Sequence, residues 1–260
     1  MNNEIYFKKY GNYAEITIER PAFSNALNTR IVEYLDEMLD EIEKDKEVRC
    51  LVISGAGEKA FIAGADIDQL LTMGPKEAKY LIEVGHKVLD RIEALKLPTI
   101  ASINGYCLGG GLELALCCDI RICSNNAKLA LPEIKLGVIP GWGGTVRLPR
   151  IVGEGRAKEM IYRGRMLMAE EALGYGLVTS VFENVEVLRE KTKELAEELS
   201  SKAAITMQLD KKLINSGRGR NASECEAADA FALAYTFTTE DTKEGIKAFV
   251  EKRKPQFKGI

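Results

Sequence analysis

The strand signals stop at Phe182. Before that point, short apolar segments with strand character alternate with segments of helical period. After it come four helical segments, 184–199, 202–215, 223–235 and 240–252, with no strand between them. Alternating strands and helices call for a mixed, layered core. A helical tail joined to it without a Pro- or Ser-rich linker must dock on that core or on a neighbouring copy. The sequence thus divides into an α/β core over residues 1–190 and a helical region over 191–260.

Within the core, residues 5–7 and 14–18 read as two antiparallel strands around a turn at Gly11-Asn12. Ile31, Leu35, Met38, Leu39 and Ile42 repeat at the helical period, and Asn28 or Thr29 stands where a cap is needed. Strands are expected at 50–54, 99–103, 120–123, 129–130 and 178–182. Helices are expected at 76–95, 110–117, 145–148, 156–162 and 169–175.

Composition removes several classes of function. The 260 residues carry a net charge of −3. That disfavours a general nucleic-acid binder, which is normally basic. The six cysteines form no CxxC pair and His86 is the only histidine. A zinc site of about four such ligands is therefore not expected, and free buried thiols fit a reducing cytoplasm. The N-terminal stretch has no apolar run that would act as a secretory leader. The most apolar stretch, 97–118, contains Asn104, Glu113, Pro98 and four glycines. A carboxylate at mid-membrane is costly, so this stretch reads as buried core and no membrane span is expected.

Three stretches carry the chemistry. Ala63-Gly64-Ala65-Asp66-Ile67 follows a strand and ends at a helix start, where small residues let the backbone approach a ligand. Asn104 to Glu113 places Gly109, Gly110 and Gly111 at the opening of a helix, with a carboxylate in its first turn. Free N–H groups there, backed by the helix dipole, suit a developing oxyanion. Leu131-Pro132-Glu133, followed by Pro140-Gly141-Trp142-Gly143-Gly144, sets a second carboxylate among apolar neighbours. Loss of water there raises a carboxyl pKa, and two carboxyls in different settings form an acid/base pair. Each stretch also has a plain structural reading. Asp66 is a helix cap, Glu113 favours the helix dipole, and Glu133 caps a turn.

Taken together, the three stretches resemble the crotonase (enoyl-CoA hydratase/isomerase) family over almost the whole chain. The resemblance implies an α/β spiral of ββα turns with a C-terminal all-α trimerisation region, assembled as a hexamer from two trimers. It implies an oxyanion hole from the N–H groups of Ala65 and Gly110, with Glu113 and Glu133 as the catalytic pair. Gly141 resembles the position that holds the reacting water or orients Glu133. Coenzyme A arrives as part of an acyl-CoA substrate, so no separate cofactor is implied. Ala63, Ala65, Asp66 and Ile67 resemble its adenine slot. Lys252, with Phe249 packing nearby, resembles the contact made from an adjacent subunit, whereas Arg253 and Lys254 read as a solvated helix end. Many relatives carry a basic residue where Ser24 precedes Asn25-Ala26-Leu27. Leu70, Met73 and Trp142 are expected at the acyl end of the cleft, with a rim position as the alternative for Trp142.

The fold hosts many reactions, so the acid/base residues discriminate. Both glutamates of a hydratase are present. Segments such as 111–116 and the tail from Thr239 resemble archaeal short-chain hydratases, which act on crotonyl-CoA and dehydrate 3-hydroxypropionyl-CoA. The competing readings are an enoyl-CoA isomerase using mainly Glu133, or a non-catalytic fold member that binds RNA or a partner protein. His86, in mid-helix, reads as structural.

Overall fold

The computed structural model describes residues 4–260. The first three residues of the stretch inspected for a leader lie outside the described residues.

The chain opens with a hairpin, β1 (Ile5–Tyr10) and β2 (Tyr13–Ile18), paired antiparallel from Ile5↔Ile18 to Tyr10↔Tyr13. Gly11, at φ +59°, supplies the left-handed turn. α1 (Thr29–Lys44) starts where Asn28 accepts a bond from the Ile31 N–H, and it buries Ile31, Val32, Leu35, Leu39 and Ile42. Then come β3 (Cys50–Gly55), β4 (Ala60–Ile62), α2 (Ile67–Thr72) and α3 (Pro75–Ala94). The pattern repeats with β5 (Thr99–Ile103), β6 (Tyr106–Leu108) and α4 (Gly110–Cys117). It repeats again with β7 (Ile120–Ser124), β8 (Lys128–Ala130), a 3₁₀ turn at Glu133–Leu136, α5 (Gly144–Val152) and α6 (Glu154–Arg163). β9 (Leu167–Met168), α7 (Ala169–Gly174) and β10 (Ser180–Phe182) close the α/β part. α8 (Val185–Ser200), α9 (Ala204–Ser216), α10 (Ala222–Thr236) and α11 (Glu240–Val250) follow.

Each turn gives one strand to each of two sheets. The larger has the order β1-β2-β3-β5-β7-β10 and is parallel from β2 onward. The smaller has the order β4-β6-β8-β9. This is the expected ββα spiral, and of the smaller sheet the sequence reading placed only β8, at 129–130. Its strands have two or three residues, too few to show alternation.

The large sheet is buried on both faces, as parallel sheets are. Leu51, Ile53, Ala101 and Ile103 face a core shared with α1, α3 and α4. Cys50, Val52, Ile100 and Ile122 face Leu188 and Ala196 of α8. Ser102 and Thr192 join strand and helix through their hydroxyls at 2.7 Å. A division at residue 190 therefore cuts through a core helix. The helical region that stands apart from the sheet begins after Ser200. It is tied back by Lys211 to Asp119 at 2.8 Å and by Arg49 to the Phe257 and Lys258 carbonyls. α10 buries only Ala232 and leaves Phe231, Leu233 and Tyr235 exposed.

Candidate active site

The first loop is held from below by the segment leading into α1. The Leu27 N–H donates to the Gly64 carbonyl at 2.8 Å, and the Asp66 N–H donates to the Leu27 carbonyl at 2.8 Å. This is a one-residue parallel bridge between Leu27 and Ala65. In that geometry the bonds flank Ala65, and its own N–H points to the other side. Asn25 fixes the loop's base by donating to the Ala56 and Ala60 carbonyls. Ser24 and Asn25 both sit in left-handed backbone, at φ 51° and 59°, strain that the surrounding bonds sustain.

The second loop ends at α4, whose eight residues are all buried. Gly110 is the first helical residue, so its N–H has no acceptor within the helix. The glycines here are required by contact. A Cβ on Gly111 would lie 2.1 Å from the Ile62 carbonyl oxygen, and one on Gly110 would strike the Trp142 ring at 2.6 Å. Gly64 lies beside this loop, its Cβ position 3.4 Å from the Leu108 carbonyl oxygen. The Ala65 and Gly110 amides, unpaired among the described residues, thus belong to loops in direct contact.

Glu113, one turn into α4, is 2% exposed. Its Oε1 accepts the Trp142 N–H at 2.7 Å and the Gly144 N–H at 2.8 Å. Burial pushes its pKa up to about 7, against the lowering effect of those two donors; the nearby Glu133 charge adds to the rise. Glu133 opens the 3₁₀ turn, and its Oε1 lies 2.9 Å from where a Gly109 Cβ would be. Its pKa is also raised by burial. Its Oε2 is buried without a hydrogen-bond partner among the described residues, a feature that calls for an explanation in a native site. The sequence reading anticipated the rise for Glu133 alone; the structure raises both.

These loops bring together two unpaired amides and two carboxyls of elevated pKa. The family described as enoyl-CoA hydratase/isomerase matches residues 8–260. The chain belongs to that family. It is 43% identical over 252 residues to the short-chain-enoyl-CoA hydratase of Clostridium acetobutylicum, across 97% of this chain and 96% of that one. It is 41% identical over 253 residues to the crotonyl-CoA hydratase of Syntrophomonas wolfei, across 97% of each. Among solved structures, the enoyl-CoA hydratase of Bacillus anthracis superposes with a TM-score of 0.96 at 39% identity, covering 99% of this chain and 100% of that one.

Against this enoyl-CoA hydratase/isomerase frame, several expected residues find different settings. Trp142 is 3% exposed and its Nε1–H donates to the Leu81 carbonyl at 3.2 Å. It is not a rim residue. Its ring lies behind Gly110 and against Gly85. The donors on Glu113 are the amides of Trp142 and Gly144, which the sequence reading did not single out. Backbone donors leave no side-chain signature. Gly141 lies against Ile82, whose Cδ1 is 2.5 Å from its Cβ position. The Asp66 side chain caps α2, accepting from the Asp68 and Gln69 amides, and pairs with Arg20 at 3.0 Å. Its carboxylate is thus engaged within the chain, and Arg20 and the amides outweigh burial to lower its pKa.

Ala63 donates its N–H to the Ser24 carbonyl at 3.1 Å. Ile67 is exposed, and Leu70 is 36% exposed on α2. Met73 lines a cleft of about 500 Å³ with Thr29, Gln69, Thr72, Lys76, Glu77 and Tyr80. Phe249 is 85% exposed, and Lys252, past the end of α11 at φ +53°, donates its backbone N–H to the Phe249 carbonyl at 3.2 Å. No hydrogen bond among the described residues joins either to the three loops. Arg253 is exposed just past α11, the solvated helix end the sequence suggests, and pairs there with Glu244 at 2.6 Å and Glu251 at 2.7 Å. Five of the six cysteines are buried, and burial pushes the Cys50, Cys118 and Cys123 thiols up to about 12. Such thiols are packing residues rather than nucleophiles. His86 is exposed on α3.

Proposed function

We propose that this chain catalyses the reversible hydration of short-chain 2-enoyl-CoA thioesters, converting crotonyl-CoA to 3-hydroxybutyryl-CoA, and that it also dehydrates 3-hydroxypropionyl-CoA to acryloyl-CoA. One observation carries the reading. A buried carboxyl, Glu113, and a half-buried one, Glu133, converge from different elements beside two loops whose amides at Ala65 and Gly110 are unpaired among the described residues. The names of the two curated relatives support the substrate class.

In this mechanism the thioester oxygen lies between the Ala65 and Gly110 N–H groups. As negative charge grows on it, fixed donors stabilise that charge; one such donor is typically worth about 10²–10³ in rate. Glu113 and Glu133 share one water. Glu113, as carboxylate, activates it for attack at Cβ. Glu133, protonated, delivers its proton to Cα. The water supplies the new hydroxyl at Cβ and its remaining proton restores the pair. In dehydration Glu133 removes the α proton and Glu113 assists departure of water. The two amides on Glu113 Oε1 suit an anionic acceptor, and the unpartnered Glu133 Oε2 suits a group that meets the ligand.

Coenzyme A enters with the substrate. The backbone of Ala63, Ala65, Asp66 and Ile67 forms the adenine slot. Leu70, Met73 and Trp142 bound the acyl end, and Gly141 lies at the water. Phe249 and Lys252 act on the ligand of an adjacent subunit, consistent with their exposure. The apolar side chains that α10 leaves exposed fit assembly as a hexamer of two trimers in the cytoplasm. The test is loss of the enone absorbance of crotonyl-CoA with wild-type protein and with Glu133→Gln. Fast loss with wild-type alone is the expected result. No loss with either, together with turnover of a 3-enoyl-CoA, would replace hydration by isomerisation.

A further inference from the structure

The loop that supplies both amide donors to Glu113 is itself clamped by a buried cation. Arg147 on α5 is 8% exposed. Its Nη1–H donates to the Trp142 carbonyl at 3.0 Å, its Nε–H to Glu93 at 2.9 Å, and its Nη2–H to Asp90 at 2.6 Å. Glu93 also pairs with Arg218, just past α9. The clamp leaves no room for a side chain at Gly143: a Cβ there would lie 2.3 Å from Arg147 Nη1. Gly143 holds φ +96°, which reverses the chain between the two donor residues.

We propose that Arg147 is a positioning residue for Glu113. It grips the Trp142 carbonyl, and this fixes the peptides whose N–H groups, at Trp142 and Gly144, converge on Glu113 Oε1. Asp90 and Glu93 anchor the guanidinium to α3, and Arg218 links that anchor to the helical tail. A planar fork with several fixed donors can serve all three partners at once, which a lysine ammonium on its flexible stem cannot. The charged and titratable groups around Glu113 are Glu133 from the 3₁₀ turn, Cys117 on its own helix and Arg147 from α5. Glu93 and Asp90 on α3 stand behind Arg147. With the fork gone, the donors lose their aim and Glu113 loses a nearby positive charge. Both changes make its ionised form harder to reach.

The kinetic part of this inference rests on the hydratase reading, so the test includes a readout that does not. In protein labelled with ¹³C at the glutamate carboxyl, the Glu113 signal is identified by its absence in Glu113→Gln. It is then titrated in wild-type, Arg147→Met and Arg147→Lys proteins. The expected midpoint rises by about one pH unit in Arg147→Met. It rises less in Arg147→Lys, which keeps the charge and is the variant to read if the Met protein fails to fold. With crotonyl-CoA, kcat is expected to fall roughly ten- to hundredfold while KM changes little, as for a misplaced catalytic group. A midpoint unchanged in both variants overturns the proposal, even if stability falls. A shifted midpoint in a protein without hydratase turnover would keep the positioning role and remove the hydratase reading.

Discussion

Glu113 and Glu133 reach the same cleft from opposite kinds of support. Glu113 stands on a helix with every residue buried, and one of its oxygens is already bound to two amides. Glu133 stands on a 3₁₀ turn whose following residues, Ile134 to Ile139, are exposed, and one of its oxygens is buried without a partner among the described residues. The first carboxyl is held in advance. The second keeps its hydrogen-bonding capacity unspent until a ligand arrives. Burial raises both pKa values; two amides of a neighbouring loop oppose the rise at Glu113, whereas at Glu133 its own backbone N–H opposes it. The contrast fits the two proposed roles: a held base for water, and a proton-bearing acid for the substrate.

The largest effect should come from removing either carboxyl. Glu113→Gln and Glu133→Gln are each expected to lose about 10²–10⁴ in turnover of crotonyl-CoA, with unchanged circular dichroism. Near-wild-type turnover by either would break the pairing.

Stability should separate the two more finely. The Glu113 carboxyl releases its proton near 4.5 when unfolded and only at about 7 when folded. The folded state therefore holds the extra proton between these values. Stability from this group is fully present below 4.5, is lost as pH rises towards 7, and is flat above. Glu113→Gln keeps an oxygen for the two amides and removes the titration. Urea unfolding should show it more stable than wild-type at pH 8, by on the order of 3 kcal/mol, and little different at pH 4. A parallel displacement of both unfolding curves at the two pH values would contradict the assignment.

The donor loop offers a smaller perturbation. A Gly144→Ala methyl would sit 3.0 Å from Glu113 Oε1 and should cost roughly ten- to hundredfold in kcat. Gly137→Asn is the matched control beside Glu133. Gly137 has open space and a positive φ of 73°, which asparagine tolerates, so kcat should stay close to wild-type. Equal losses in the two variants would erase the distinction between the loops. The smallest effect concerns Asp66. Asp66→Ala removes a cap and should cost about 1 kcal/mol of stability, read by urea midpoint, with KM for the acyl-CoA little changed. A raised KM at unchanged stability would return this side chain to the coenzyme A site.

Much of this arrangement was legible in the sequence, for identifiable reasons. α4 and β5 fall where expected because their apolar runs are bounded by glycine, proline and asparagine. The three loops are visible because glycines that permit close approach cluster beside the two glutamates. Strands of two or three residues leave little pattern, so of the smaller sheet only β8 was visible. α8 has the amphipathic look of a surface helix, and only its packing on β3, β5 and β7 shows that it belongs to the core. The amides on Glu113 escaped notice because every residue carries one, and only the fold aims it. Arg147 was equally hidden, since its partners Asp90 and Glu93 lie on a helix more than fifty residues away.

The central claim is that both glutamates act on one water. Its most direct test is hydration of crotonyl-CoA in a mixture of H₂¹⁸O and ²H₂O by wild-type, Glu113→Gln and Glu133→Gln proteins, with mass spectrometry of the 3-hydroxybutyryl-CoA formed. The account predicts solvent oxygen at Cβ and one solvent hydrogen at Cα with wild-type, and almost no labelled product from either variant in the same time. Labelled product formed by either variant at close to the wild-type rate would contradict it.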